Sequence, residues 1–364
     1  MENEVLEEVV QFLAHDFGNS GSRTHDYGAV ANRAVERARK CVAKVVESDP
    51  AEVLFTSGAT ESNNLVLLGL AKHGSAAGRQ HIVSTAIEHK AILEPLNELQ
   101  KQGFKVTLVQ PNAKGRIRAD DILDAIQVDT LLVSCMHANN ETGVVQPVEE
   151  IASGLIDSEV YLHTDAAQSF GKIVSELRNP RIDLISISGH KIFGPKGIGA
   201  LVVRRRNGKR PPITPLMYGG GQERGLRPGT MPVALVAGLG KAAEIALRDR
   251  AERETRCMAF RERLLTELAP LEPIIHGDTD NTLAHVVNLS FGDIDSEAVM
   301  LALRDTVAIS NGSACTSASY APSHVLRAMQ LNDVEAETAT RWSWSHRSEE
   351  PDWNKVRQRI KLLQ

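Results

Sequence analysis

The sequence lacks the marks of several protein classes. Its 41 Lys and Arg do not outnumber its 46 Asp and Glu. With a net charge of −5, no global basic field draws it to nucleic acid or to an anionic membrane. The local run Arg204-Arg205-Arg206 reads as a solvated loop. The opening "MENEVLEEVVQFL" is acidic and amphipathic, without the basic start and apolar run of a signal peptide. No apolar stretch is long enough to span a bilayer. The expectation is a cytoplasmic protein with neither a membrane nor a direct nucleic-acid partner. Cysteine is scarce too. Cys41, Cys135, Cys257 and Cys315 stand far apart with no CxxC pair, so no zinc-type spacing exists and no metal is expected. A chain of this kind keeps its thiols reduced. No internal repeat or low-complexity segment occurs.

What is present is ordinary globular composition, 42% hydrophobic and 24% charged, over 364 residues. That length suggests two domains. From residue 27 to 46 apolar residues recur at helical period. "EVLFTSGATESNNLVLLGLA" reads as strand, glycine turn, helix, and "HIVSTAIEHKAILEPLNELQ", "TLLVSCMHANNETGVVQPVEEIASGL" and "VYLHTDAAQSFGKI" repeat that order. Strands alternating with helices predict parallel βαβ units covered on both faces. After about residue 235 the pattern changes to a long helical stretch, "VALVAGLGKAAEIALRDRAERETRCMAFRERLLTELAPL", then to short strands such as "HVVNLSFG" and more helices. The predicted fold class is α/β, with a large, mostly parallel-sheet domain over residues 1–235 and a smaller α+β domain over 236–364. The first 15 or so residues are free to pack with the small domain.

Polar residues cluster where the predicted strands end, and ligands of open α/β sheets bind at those carboxyl ends. Ser57-Gly58-Ala59-Thr60 opens a helix, and free backbone N–H groups at a helix start suit a phosphate, although an ordinary capped turn reads as well. His89 follows one strand and Asn139-Asn140-Glu141-Thr142-Gly143 another. Asp165 ends a mostly apolar run, where a carboxylate calls for a cation. In "IDLISISGHKIFGPKGIGALVV" Lys191 stands between a strand and a glycine-rich turn, beside Ser188 and His190. An aspartate at one strand end and a lysine at the next suit pyridoxal 5'-phosphate. The lysine forms a Schiff base with the aldehyde, and the aspartate keeps the ring nitrogen protonated. Cys135 reads as a buried strand residue, and Cys41 and Cys257 as helical packing residues. Cys315, in "ISNGSACTSASYAP", lies among small residues, either in a tight turn or as a nucleophile.

These stretches resemble the cysteine desulfurases, pyridoxal-phosphate enzymes of the class V aminotransferase group with the fold type I architecture. "FTSGATESNN", "EHKAIL", "HANNETGVVQP", "TDAAQSFGK", "SISGHKIFGPKGIGAL", "GGGQERGLRPGT" and "GSACTSAS" match its motifs in the family's order. The resemblance implies that Lys191 holds the cofactor and shuttles protons. His89 would stack on the ring and do acid–base work, Asp165 pair with the ring nitrogen, and Gln168 bond the ring oxygen. Ala59, Thr60, Ser188 and His190 would hold the phosphate. Thr230 would reach the phosphate of a second subunit, which implies a homodimer. Asn140 and Arg341 would bind the carboxylate of L-cysteine. Cys315 would take the sulfur as a persulfide, with L-alanine released and the sulfur passed to an acceptor protein.

The family pattern has a short strand with an Ala-Thr-Thr-Pro-like segment ahead of the region matched by "VLEEVVQFL", and this sequence begins at that region. It ends at "RQRIKLLQ", short of the tail that many relatives use to dock partners. "RWSWSHR" replaces the usual Arg-Phe-Ser pattern. That stretch and "DFGNSGSRTHDYG" look closer to desulfurases serving DNA phosphorothioation than to those of iron–sulfur assembly or thiolation. An aminotransferase, a selenocysteine lyase and a non-catalytic scaffold are the alternatives. Cys315 argues against the first two, and the complete set of Lys191, Asp165, His89 and Cys315 against the third.

Overall fold

The computed structural model describes residues 1–312 and 323–364. The chain starts with helix α1 (Asn3–Val10), a wide turn at Gln11–His15 and the long α2 (Asp26–Val46). The His25 ring accepts a hydrogen bond from Gly28 N at the start of α2, and the apolar residues read at helical period lie buried along one face. There follow β1 (Val53–Thr56), α3 (Ala59–Ala76), β2 (His81–Thr85), α4 (Lys90–Lys101), β3 (Lys105–Val109), α5 (Ala119–Asp124), β4 (Thr130–Ser134), α6 (Val148–Gly154), β5 (Tyr161–Asp165), β6 (Leu184–Ser188) and β7 (Gly199–Val203). Helices α7 (Val233–Arg248) and α8 (Arg250–Leu268) lead to β8 (Ile274–His276), β9 (Val286–Ser290) and α9 (Ser296–Leu303). The chain ends with α10 (His324–Ala328), α11 (Asp333–Thr338), β10 (Thr340–Ser343) and α12 (Trp353–Lys361).

Among the described residues, seven strands form one sheet in the order β1-β7-β6-β5-β4-β2-β3. The block from β6 through β5, β4 and β2 to β3 is parallel, and β7 runs antiparallel between β6 and β1. Strands β4, β6 and β7 are buried at every position and β5 at all but its first, because both faces are covered. One face carries Phe55, Val83, Val133, Leu162 and Ile185 into the larger core. The other carries Leu54, Ile82, Leu132, Leu184 and Leu201 into a second core. This is the α/β layering expected of parallel βαβ units.

Two local readings change. "VYLHTDAAQSFGKI" gives strand β5 but no helix. Residues 166–173 form consecutive tight turns, with Ser169 N bonded to Ala166 O and Lys172 N to Ser169 O. Gly171 adopts φ 73, a conformation that a helix cannot continue through. The long stretch after residue 235 is two helices that break at Asp249, whose backbone is not helical.

Helix α7 packs along α2 and α1, and its buried Val236, Leu239, Ala242 and Ile245 belong to the larger core. A separate core forms around the three-stranded antiparallel sheet β10-β9-β8, from Leu264, Leu289, Phe291, Trp342, Trp353 and Ile360. Residues at the chain start touch both parts. Val5 and Val9 enter the larger core, while Glu2 pairs with Arg253, His346 and Arg347.

Candidate active site

The parallel strands β2, β4, β5 and β6 all end at one edge of the sheet, and β1, two antiparallel steps from β6, ends there as well. The expected residues follow those ends. Ala59 and Thr60 form the first turn of α3, with Thr60 exposed to solvent. Gly199 pairs with both Thr56 and Ser188. A Cβ on it would lie 2.3 Å from Ile187 O and 2.6 Å from Gly58 Cα, so only glycine lets the turn into α3 come this near. The Ser188 hydroxyl and His190 Nδ1 are 3.0 Å apart, and Lys191 follows in the tight turn Gly189–Ile192.

Asp165 closes β5 and is 7% exposed. Its Oδ1 accepts from Ala167 N at 2.9 Å and its Oδ2 from Asn63 Nδ2 at 2.7 Å. Both donors are neutral, so the anion is held and desolvated with its charge still available to a cation. His89 is the N-cap of α4, and its ring Nδ1 accepts from Ala91 N at 3.1 Å. Burial pushes the His89 pKa down, Asp165 acts against that, and Lys191 and His324 add to it. Gln168 lies in the turns after β5, where its carbonyl accepts from Lys172 Nζ at 2.8 Å. Burial, followed by the charge of Lys191, pushes Lys172 down to about 7. A cavity of about 120 Å³ lies beside Lys172, Ile192 and Phe193, bounded by Arg253, His285 and Trp344.

The second part of the chain completes this edge. Arg341 stands on β10, and its Nη1 donates to the Asn140 carbonyl at 3.2 Å. Its backbone pairs with Ser310. Ser323 Oγ donates to Glu141 at 2.5 Å, and His324 Nε2 lies 2.9 Å from the Glu88 carbonyl. Glu88 is fully buried, which raises its carboxyl to about 8. Its Oε1 accepts from Thr85 Oγ1 and Met136 N, tying the end of β2 to the end of β4. The structure thus gathers His89, Asp165 and Lys191, links Asn140 to Arg341, and joins Ser188 to His190. Thr230 is exposed, and among the described residues no hydrogen bond joins it to the others. Cys315 lies outside the described residues.

The class-V aminotransferase model matches residues 1–353. The chain belongs to that family. It is 42% identical over 361 residues to the cysteine desulfurase IscS of Vibrio vulnificus (strain YJ016), covering 98% of this chain and 88% of that protein. The crystal structure of DndA from Streptomyces lividans superposes with a TM-score of 0.86 at 48% identity, over 94% of this chain and 96% of that one. A structure of SspA in complex with cysteine gives a TM-score of 0.82 at 36% identity, over 94% and 95% of the two chains. The chain is a pyridoxal-phosphate-dependent cysteine desulfurase of the fold type I architecture.

The desulfurase's residues fit that cofactor. Asp165, held by neutral donors among the described residues, suits a protonated ring nitrogen, and the amide-rich start of α3 suits a phosphate. Asn63, Glu88, Glu141 and His324 escaped notice in the sequence. Asn63 and Glu141 lie inside quoted motifs without distinguishing neighbours, and Glu88 adjoins His89, so burial alone singles them out. His324 follows an ordinary serine cap and reaches the edge only through the packing of the second part on the first.

Proposed function

We propose that the residues at this sheet edge divide the desulfurase reaction as follows. Lys191 carries the cofactor and moves protons, Asp165 faces the ring nitrogen, and His89 lies against the ring. Gln168 meets the ring oxygen, and Ala59, Thr60, Ser188 and His190 surround the phosphate. Arg341, beside Asn140, anchors the substrate carboxylate, for which the planar guanidinium is suited. Bound pyridoxal phosphate supplies the electron sink that weakens the bonds of the amino acid. The Cys315 thiolate attacks the substrate sulfur; a C–S bond breaks, an S–S bond forms, and L-alanine leaves. The carrying observation is the buried Asp165 carboxylate, whose donors among the described residues are all neutral, next to His89 and Lys191. A two-domain division belongs to this reading, supported by the separate core around Trp342 and Trp353, but with α7 packed in the larger core the boundary falls near Asp249 and not at residue 235.

The same reading makes the protein a homodimer in which Thr230 caps the partner's phosphate. It is supported by the exposed Thr230 and by exposed Leu216, Met217 and Tyr218 ahead of it. Persulfide sulfur goes to an acceptor protein in the cytoplasm. The stretches "DFGNSGSRTHDYG" and "RWSWSHR", together with the likeness to DndA, support the DNA-phosphorothioation branch over iron–sulfur assembly.

Borohydride treatment followed by peptide mapping is expected to find the cofactor on Lys191. Mass spectrometry after a pulse of L-cysteine is expected to find the persulfide on Cys315, and Cys315→Ser to release neither alanine nor sulfide catalytically. A cofactor trapped elsewhere, or near-normal turnover by Cys315→Ser, overturns these assignments.

A further inference from the structure

Two imidazoles meet at this edge, and the protein engages opposite nitrogens of them. His89 Nδ1 accepts from the backbone N–H of Ala91, so the proton of the neutral ring is on Nε2. The N-terminus of α4 and the burial of the ring both disfavour a positive charge on it. Neutral His89 can therefore donate from Nε2. It can accept there only by moving its proton to Nδ1 and breaking the helix cap. His324 is the reverse case. Its Nε2 faces the Glu88 carbonyl at 2.9 Å, and a carbonyl only accepts, so Nε2 carries a proton and the accepting nitrogen of the neutral ring is Nδ1. Glu88 is fixed in turn by Thr85 and Met136, and Ser323 is tied to Glu141, so both sides of this contact are anchored.

The structure assigns His324 as the proton acceptor of the site, with His89 as its proton donor. The inference rests on the reading that this edge receives the amino-acid substrate. L-cysteine arrives as an ammonium ion and must lose a proton before its nitrogen can attack. The N–H bond of the substrate breaks, a bond from that proton to His324 Nδ1 forms, and the imidazolium returns the proton to solvent. The groups that set the balance are Glu88 and Glu141 beside His324, and Asp165 and Lys191, which act on the same His89 ring.

The test compares His324→Gln with His324→Ala in the holoenzyme. Glutamine retains an N–H donor for the Glu88 carbonyl but cannot take up a proton. A role limited to holding Glu88 is therefore restored by glutamine, whereas a proton acceptor is not. Both variants are expected to slow the change in cofactor absorbance on mixing with L-cysteine by roughly a hundredfold at neutral pH. The concentration of cysteine giving half the maximal rate should stay near the wild-type value. The defect should shrink as pH rises and the substrate amine loses its proton in solution, and added imidazole should recover part of the rate. In ¹⁵N-histidine-labelled wild-type holoenzyme, the resonance missing from His324→Gln should show a proton on Nε2 and none on Nδ1. A wild-type pH profile in His324→Gln, or a proton on Nδ1, overturns the assignment while leaving the substrate site intact. A wild-type cofactor spectrum that ignores L-cysteine overturns the site reading and this assignment with it.

Discussion

The two edges of the large sheet treat buried charge in opposite ways. At the edge where β6 begins, Asp183 accepts from Leu162 N and from Arg181 Nη1 at 2.7 Å, and Arg206 lies 3.8 Å away. Arg181 also donates to the carbonyls of Leu155, Ser158 and Val160, and Arg204 to those of Val46, Leu177, Asn179 and Ile182. Burial raises the Asp183 pKa and lowers those of Arg181 and Arg204, but each charge has a partner in place. At the other edge Asp165 has only neutral donors among the described residues, and His89 and Lys172 are pushed away from their charged forms. Both aspartates are buried, one closing β5 and the other directly preceding the neighbouring β6. A charge paired with an opposite charge stabilises the fold, and one whose side-chain and backbone donors among the described residues are all neutral, at a strand end, marks the place of a ligand.

The sharpest way to break this comparison is to neutralise each aspartate without changing its shape. Asp165→Asn is expected to fold and to lose activity by at least tenfold to a hundredfold, since a charged hydrogen bond is worth about 1.5–3 kcal/mol. Asp183→Asn leaves Arg181 buried without its counter-charge. It is expected to lose about 3 kcal/mol of stability in denaturant titrations while the specific activity of the folded fraction is unchanged. Exchanged outcomes would reverse the roles given to the two edges.

Arg341 extends the comparison to a cation. Arg341→Ala is expected to raise KM for cysteine about thirtyfold, the equivalent of about 2 kcal/mol, with the spectrum of the bound cofactor retained. An unchanged KM would take Arg341 out of the substrate site.

Glu88 sharpens it by pH. Its folded pKa, about 8, lies above the usual 4.5, and its buried Oε2 has no hydrogen-bond partner among the described residues. Above the unfolded value the unfolded chain releases a proton that the folded one keeps, so stability falls as pH rises from about 4.5 to about 8. Glu88→Gln retains the accepting oxygen and cannot ionise. Relative to wild type it is expected to be on the order of 4 kcal/mol more stable at pH 8 than at pH 4, read from paired melting curves. A stability difference independent of pH would mean that Glu88 is ionised in the folded protein.

The smallest effect concerns the thiols. Cys41 is half-buried in α2, and burial raises its pKa, so it is a poor nucleophile at neutral pH. Cys41→Ala is expected to leave turnover within twofold of wild type and to cost about 1 kcal/mol of stability. A persulfide found on Cys41 after a cysteine pulse would contradict it.

Residue order alone determined the alternation of strands and helices, the burial of the strands on both faces, and the strand-end positions of His89, Asp165 and Lys191. Period and turn chemistry are local, and the parallel block sends every strand end to one edge. The break at Asp249 was not legible, because the residues on both sides of it keep a helical pattern. Nor was the turn series after Asp165, which depends on Gly171 adopting positive φ. Strand order was hidden as well, since β7 inserts between β1 and β6 through pairings remote in sequence. Only the tertiary structure decided which buried charges are compensated. Asp165 and Asp183 look alike in sequence, and their difference comes from Arg181 and Arg206 lying at one edge and Asn63 at the other. The His89 ring is set locally by the amide of Ala91 at the start of α4, whereas the His324 ring is a tertiary fact, because the carbonyl it faces comes from a residue 236 positions away.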